Sequence, residues 1–513
     1  MNAPASSAAT GTLPPFRAIA DLVREHAQAR PQAPVLHQGE RTLRWGELDA
    51  RMDRIAAALQ RDGVRPTESI AICGHNSIEY AVLFLGALRA GVVVAPLPAG
   101  ATTPQLKGMA ADSGARILFA DASVPALDVN AKRIALDGAA LDAWMAPEGT
   151  HPDAVQVQPE WPFNIIYSSG TTGTPKGIVQ PHAMRWAHVA RGEAGGYGPD
   201  AVALIATSLC SNTTLVCVFP AIAWGGAVAM HEGRFDPARY LALAERVRAT
   251  HAMLVPVQYR RLMEYPDFGK YDLSSFRMKF CTSAPFAAAL KADILARWPG
   301  GLTEYYGMTE GGGTCILEAH NFPDKLHTVG KPPDGHDIRL IDEEGREVPR
   351  GEVGEVVGRS PAMMAGYHHQ PGKTREAEWY DGQGRRYIRT GDVARFDADG
   401  FLTLMDRRKD VVISGGFNIY PSDLEAVLRQ HPAVADVAVA GVPSQEWGET
   451  PVAFVVARAS DATTADALRD WANERLGKTQ RLHAVRLVGE LPRSDIGKVL
   501  KRELRERWAS GSR

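Results

Sequence analysis

Tyr167 to His182 reads YSSGTTGTPKGIVQPH, and its portion Ser168 to Gly177 holds two Ser, three Thr, three Gly and one Lys. A run of small hydroxyls and bare backbone suits a loop wrapped around phosphate. Glycine lets the chain approach an anion, hydroxyls donate hydrogen bonds, and Lys176 brings a mobile positive charge. The apolar Phe163–Tyr167 before it reads as a buried strand, and Gly177–Val179 after it starts another. A Walker loop requires Gly-Lys-Ser/Thr opening a helix, whereas here Pro175 precedes Lys176 and Gly177 follows it. The stretch is a nucleotide-phosphate loop of another kind. A surface turn rich in Ser, Thr and Gly is the alternative on composition alone, and what lies downstream weighs against it.

The rest of the chain has the make-up of a globular protein. At 513 residues it is too long for one core, and the length prior is roughly three domains or lobes. With 45% hydrophobic residues, 23% charged and a net charge of -2, it lacks the basic excess of a nucleic-acid binder. Arg407, Arg408 and Lys409 cluster only locally. The five cysteines, Cys73, Cys210, Cys217, Cys281 and Cys315, are odd in number and lack metal-ligand spacing. They read as reduced thiols, and a cytoplasmic location is expected. The first residues have neither a basic start nor an apolar run, so 1–15 reads as a disordered leader. The longest apolar stretch, Val216–Met230, is broken by Pro220, Gly225 and Gly226 and is too short to span a bilayer.

Periodicity predicts a helix over Ile19–Ala29 and a second beginning after Thr42, with short buried strands at Glu68–Cys73, Val92–Pro96 and Arg116–Ala120. Such alternation argues for a parallel sheet covered by helices. His75 and Asn76 read as caps of the helix that follows them. Pro181–Gly195 is expected to be helical, and Thr250–Val257 and Lys279–Ser283 to be strands. From Gly330 the pattern changes to an antiparallel β unit, with a hairpin turn at Asp399-Gly400. Pro421–His431 reads as a helix with Ser422 as N-cap and Glu425 at the capping-box position, and Val434–Val442 as a strand.

Four further motifs follow the phosphate loop: YYGMTE at 305–310, YIRTGDV at 387–393, DRRKD at 406–410 with SGGFNIYP at 414–421, and PRSDIGKV at 492–499. In order and spacing the whole set resembles the adenylate-forming superfamily of acyl-CoA synthetases, firefly luciferase and the adenylation domains of peptide synthetases. The resemblance runs from about Phe16 to Arg507. It implies an α/β fold with a large N-terminal domain, 16–405, made of two sheet-and-helix lobes plus a β unit and carrying the ATP and acid sites. A hinge at 406–410 and a small mobile α+β C-terminal domain, 411–513, complete it.

The resemblance also implies roles. Ser168, Ser169, Gly170, Thr171, Thr172, Gly173, Thr174 and Lys176 would hold the phosphates of ATP. Ser283, Ala284 and Pro285 would line the adenine and acid sites, as would Tyr305, Tyr306, Gly307 and Met308, with the Tyr306 ring on adenine. Thr309 would touch the phosphoryl oxygens and Glu310 would hold Mg²⁺, which prefers a carboxylate beside substrate phosphates. Asp392 would accept from both ribose hydroxyls, with Arg407 beside it. Lys409 occupies the hinge position, and Ser414, Gly415 and Gly416 flank the pantetheine path of CoA. Trp447 resembles a CoA-contacting residue of some aryl-CoA ligases, although an aromatic there can simply pack. Lys498 matches the adenylation lysine.

The acid pocket departs from the common pattern. Where the family carries a His or an aromatic residue, this chain has Cys210, Ser211 or Asn212, and Gly311 to Gly313 leave room beside them. The same small residues can serve merely to open a helix. No Asp or Glu lies between Asp200 and Glu232, so a partner for a buried ammonium is missing and an amino-acid substrate is disfavoured. The reading is an AMP-forming acid:CoA ligase that uses ATP, Mg²⁺ and CoA on an aromatic, branched or medium-chain acid. The runner-up is an acyl-AMP ligase loading a carrier-protein thiol, disfavoured because no carrier-like segment follows Lys498. A homodimer is allowed, and no sequence feature selects it.

Overall fold

The computed structural model describes residues 13–168, 176–414, 417–458, 463–477, 480–493 and 499–511, with the side chains of Ser168, Lys409, Phe417 and Asn418 left out. Contacts divide the chain into two compact units. One comprises the residues through Leu326 together with Gly330–Ile338 and Gly358–Ile388, and the other His327–Val329, Arg339–Val357 and Arg389 onward. The expected hinge at 406–410 lies inside the second unit.

The first unit contains a seven-stranded sheet in the order Gly366–Tyr367, Lys176–Pro181, Pro162–Ser168, Val93–Leu97, Ser69–Cys73, Ile117–Ala120, Lys132–Ala135. The inner strands are parallel and the phosphate-loop strands are antiparallel. Ser69–Cys73, Val93–Leu97 and Ile117–Ala120 are buried at every residue, as expected of a parallel sheet covered on both faces. An eight-stranded sheet in the same unit runs Cys315–Glu318, Gly301–Tyr306, Met278–Cys281, His251–Leu254, Val202–Ile205, Ala227–Met230, Pro34–Gln38, Arg41–Arg44. One apolar core draws Ile70, Ile72, Val94 and Phe163 from the first sheet and Leu36, Ile205, Val228 and Phe280 from the second.

Helix Ile78–Arg89 fills that core. Its sequence IEYAVLFLGALR is apolar nearly all round, and all its residues are buried, the pattern of a helix with no solvent face. Ser77 caps it by accepting the Tyr80 N–H at 3.1 Å. Gly86 is the point of closest approach to helix Trp45–Arg61, where a Cβ would lie 2.6 Å from Ile55 Cγ2.

Four local expectations are corrected. The chain after Thr42 first completes strand Arg41–Arg44, pairing back on Pro34–Gln38, and the helix starts at Trp45. The helix expected over Pro181–Gly195 is only His182–Val189, because the Trp224 indole N–H donates to the Val189 carbonyl at 2.8 Å and closes its end. The strand at Thr250–Val257 stops at Leu254, since Pro256 takes the first position of helix Pro256–Met263, where its missing N–H costs nothing. By the same rule Pro421 opens helix Pro421–Leu428, so the N-cap is Tyr420 and not Ser422. The Ser422 N–H instead donates to Asp406 Oδ2 at 2.8 Å, and Glu425 accepts from the Val439 N–H at 2.9 Å and pairs with Lys501 at 3.2 Å.

In the second unit a five-stranded sheet joins Phe417–Ile419, Val412–Ser414, Gly448–Ala457 and Val434–Ser444, with Ala484–Leu487 parallel to Gly448–Ala457. Alternate residues of Val434–Ser444 feed opposite cores, as the period of a strand dictates. Val437 and Val439 pack with Leu424, Leu428 and Leu468, and Ala438, Ala440 and Val442 with Phe454, Leu491 and Leu504. Leu402–Arg407 returns antiparallel on Asp392–Phe396, with Gly400 at φ +83° in the expected hairpin.

Gly86→Ala tests the close helix crossing by its sign. In an open helix the change stabilises by about 1 kcal/mol; here the added methyl meets Ile55, and overpacking costs about 1–3 kcal/mol. We expect Gly86→Ala to lower the urea midpoint in the native background and to raise it in an Ile55→Ala background; a rise in both would contradict the crossing.

Candidate active site

Strand Lys176–Pro181 leaves the phosphate motif with Lys176 paired to Ser168 across the hairpin. Of the phosphate-loop residues expected from sequence, Ser169, Gly170, Thr171, Thr172, Gly173 and Thr174 lie outside the described residues. Lys176 Nζ sits 5.2 Å from the ring centroid of Tyr367, which belongs to the edge strand Gly366–Tyr367. The Tyr367 hydroxyl donates to Glu310 Oε1 at 2.8 Å, and burial together with the Glu310 carboxylate raises the phenol well above its usual range. A cavity of about 540 Å³ opens beside this strand pair, lined by Val179, Tyr367, His368, His369 and Arg375 among others. The first unit therefore places Lys176 and Glu310 around one tyrosine.

Glu310 ends a loop whose shape is set by glycine. The Gly311 N–H donates to the Met308 carbonyl at 2.9 Å, the Gly312 N–H to Ala362 at 3.0 Å, and the Met364 N–H to the Glu310 carbonyl at 2.9 Å. Gly311 has φ +74° and Gly312 φ +90°. A Cβ on Gly311 would lie 2.0 Å from the Ala362 carbonyl oxygen, and one on Gly313 1.7 Å from Ile338 Cδ1. These glycines meet the chain's own backbone and core at close quarters, a demand distinct from the pocket space expected of Gly311 and Gly312. Met308 packs on the cluster of Ile178, Met364 and Tyr367, and Gly307 is exposed. Tyr305 packs against the main core, 5.7 Å from Phe280. Tyr306, next along the strand and so on its opposite face, is buried.

Side-chain hydrogen bonds from several elements hold the acid segment. Asn76 donates from Nδ2 to the Thr207 carbonyl and accepts from the Leu209 N–H, both at 2.8 Å, so it clamps the start of the segment instead of capping a helix. Ser211 is the N-cap of helix Asn212–Ala223, and the Cys210 N–H reaches Ser208 Oγ at 3.3 Å. The Thr213 and Ser283 hydroxyls lie 2.6 Å apart, with Ser283 at the unusual φ of +83°. A non-glycine residue held there stores strain of about 1–3 kcal/mol. Half-buried Ala284 and exposed Pro285 lead to Phe286, which stacks on Tyr259 at 5.5 Å. From the other side, Gln180 Nε2 donates to the Thr309 carbonyl at 2.7 Å and to Asn212 Oδ1 at 3.3 Å.

In the second unit Asp392 and Arg407 are cross-strand partners with Oδ1 and Nε 3.2 Å apart. The Asp392 N–H donates to Thr390 Oγ1 at 3.0 Å, and the Thr390 hydroxyl in turn to the Val356 carbonyl. Ser414 pairs with Gly448, and Trp447 beside it is 52% exposed. Gly415, Gly416 and Lys498 lie outside the described residues, and of the hinge Lys409 only the backbone is described. Arg493 and Val499 bridge on either side of the Lys498 segment.

The match to known proteins covers both units. The model for AMP-binding enzymes matches residues 23–368, and that for the AMP-binding enzyme C-terminal domain matches 423–498. The chain belongs to the AMP-binding, adenylate-forming enzymes. A feruloyl-CoA synthase of Amycolatopsis sp is 34% identical over 495 residues, covering 94% of this chain and 97% of that protein. A fatty acid–[acyl-carrier-protein] ligase, ScoC, of Streptomyces coeruleorubidus is 32% identical and covers 98% of each chain. The ATP-bound crystal structure of MatB from Rhodopseudomonas palustris superimposes with a TM-score of 0.86 at 27% identity, covering 96% of this chain and all of that one. The protein is accordingly an enzyme of the acid–thiol ligase class, and ATP and CoA are the substrates the family uses.

Sequence reading missed the residues that hold the adenylating enzyme's loops together: Asn76, Gln180, Arg185, Thr213 and Tyr367. Only the polar Gln180 amid the apolar strand GIVQP offered a signal. Asn76→Ala removes both clamps on the acid segment. We expect the KM for the acid to rise about ten-fold, with about 1–3 kcal/mol of lost stability; an unchanged KM would show that the segment holds itself.

Proposed function

We propose that the enzyme activates an aromatic carboxylic acid as its acyl-adenylate and transfers the acyl group to the thiol of CoA. The supporting observation is the junction at Gln180, which ties the phosphate strand, the Thr309–Glu310 loop and the acid segment together within one unit. The feruloyl-CoA synthase relative favours an aryl-substituted acid. The acid segment, where Ser211 and Asn212 stand and no carboxylate occurs from Ala201 to His231 to hold an ammonium, weighs against an amino acid.

A carboxylate is a poor acyl donor until its oxygen becomes a good leaving group. Its oxygen attacks the α-phosphorus of ATP, the bond to the β-phosphate oxygen breaks, and pyrophosphate departs. The CoA thiol then loses its proton and attacks the acyl carbon, and AMP leaves. Lys176 and the hydroxyl loop bear the charge gathering on pyrophosphate, Lys498 bridges the incoming carboxylate and the α-phosphate, and Asp392 with Arg407 grips the ribose. Among the described residues no three His, Cys, Asp or Glu side chains converge as a metal cage. One carboxylate, Glu310, oriented by Tyr367, fits Mg²⁺ shared with substrate phosphates. Such an ion, when bound, offsets phosphate charge. The two steps need different groups at one acyl carbon, so the proposal includes a moving C-terminal segment hinged at 406–410, with Ser414, Gly415 and Gly416 bordering the thiol's path. The five cysteines are thiols, and the proposal includes a cytoplasmic setting.

A carrier-protein thiol is the second reading for the acceptor, supported by the full-length likeness to an acyl-carrier-protein ligase. Pyrophosphate release across benzoic, cinnamic, branched and straight-chain acids, with and without CoA, separates the two. CoA-dependent multiple turnover yielding AMP supports the ligase, whereas a single stoichiometric burst indifferent to CoA supports the carrier reading. Lys498→Ala should lose adenylate formation by more than about 100-fold yet still make thioester from supplied acyl-AMP. Equal loss in both steps would count against Lys498 serving the first step alone and against the alternation of groups between the two steps.

A further inference from the structure

Arg185, on helix His182–Val189, is 1% exposed, with its Cζ 5.4 Å and 5.5 Å from the ring centroids of Phe163 and Phe219. Its Nη2 donates to Gln180 Oε1 at 2.6 Å and to Asn212 Oδ1 at 3.0 Å. Its Nε and Nη1 find no hydrogen-bond partner among the described residues. Burial lowers the guanidinium to about 9, and a buried cation without a carboxylate is costly to hold. Two neutral side chains could join the same elements with less penalty.

What a guanidinium supplies that they would not is direction. Arginine only donates, and a primary amide has one accepting and one donating end. Gln180 must turn its oxygen to Arg185, which sends its NH₂ group to the Thr309 carbonyl and Asn212 Oδ1. With Arg185 absent the amide is free to flip, which would set two oxygens against each other at Thr309.

We propose that Arg185 is a positioning residue of the adenylation step, acting through Gln180 to fix the Thr309 peptide and, through Asn212, the start of the acid-pocket helix. Nothing in the five sequence motifs points to it. The inference rests on the reading of Thr309 and Asn212 as adenylation-site residues.

The test starts from acid-dependent ATP–pyrophosphate exchange by the wild-type enzyme over the acid panel; no exchange with any acid overturns the site reading and this inference with it. Gln180→Glu then separates position from stability. A carboxylate satisfies Arg185 as an ion pair but offers Thr309 no donor. We expect a melting temperature no lower than wild type, an exchange kcat reduced about ten-fold, and a KM for ATP within about three-fold. A purely structural network predicts wild-type kcat, and that result would overturn the proposal while leaving the adenylation reading intact. Should Gln180→Glu fold poorly, a double-mutant cycle decides. Arg185→Met should cost about ten-fold in kcat alone and almost nothing in a Gln180→Leu background, with Arg185→Lys recovering part of the loss. Losses that multiply would exclude action through Gln180.

Discussion

Because Ser168 pairs with Lys176, the phosphate motif must leave and re-enter the seven-stranded sheet at one place, and that register governs the rest of the site. It sets Lys176 beside the Tyr367 ring, since Gly366–Tyr367 pairs with the same strand two residues further on. It also sets which side chains of Lys176–Pro181 share a face. A slip of one residue would carry Gln180 to the opposite face and away from Thr309 and Asn212. The inner strand of the hairpin buries Ile165 and Ile166 and pairs with the parallel sheet, so the hairpin cannot slip without disturbing that packing. Precision at the phosphate end is thus inherited from the apolar sheet.

The interior then transmits that precision sideways. Tyr367 reaches Glu310, Gln180 reaches Thr309 and Asn212, Thr213 reaches Ser283, and Asn76 reaches Thr207 and Leu209. Tyr367 and Gln180 each join a loop to a strand and Thr213 joins one to a helix, while Asn76 ties one loop to another. Loops lack regular backbone hydrogen bonding of their own, so side-chain links of this kind decide where their carbonyls and hydroxyls stand.

The inner strands and helix Ile19–Ala29 were legible because their pattern is local: a short apolar run bounded by turn residues, or an apolar face at helical spacing. The second-unit strand Val434–Ser444 was legible for the same reason. Misreadings fell where one distant contact or one proline overruled the pattern. The Trp224 indole ended the helix at Val189, Pro256 opened a helix where a strand was expected to continue, and Pro421 took the first helical position so that the N-cap fell on Tyr420 and not Ser422. Candidate site residues were legible where they are written as a motif, as in Tyr305 to Glu310. The links at Asn76, Gln180 and Arg185 were illegible, because their partners lie far off in sequence or on another element. The glycines after Glu310 were legible as a need for space but not for whose space, since Ala362 and Gly358 are brought there by the fold.

Charge gives the last step. From Ala201 to His231 the acid segment contributes no carboxylate, while the adjoining interior contains the Arg185 guanidinium without an acidic partner among the described residues. In a low-dielectric interior an unbalanced positive charge favours anions and penalises cations over several ångströms. In the proposed reaction, an acid entering as its carboxylate and a transition state spreading charge over phosphoryl oxygens would both gain from that field. An amino acid would have to bring its ammonium into the same region with no counter-charge to meet it. On the proposed reading, that bias would favour simple carboxylates by the sign of the charge before the shape of the pocket comes into play.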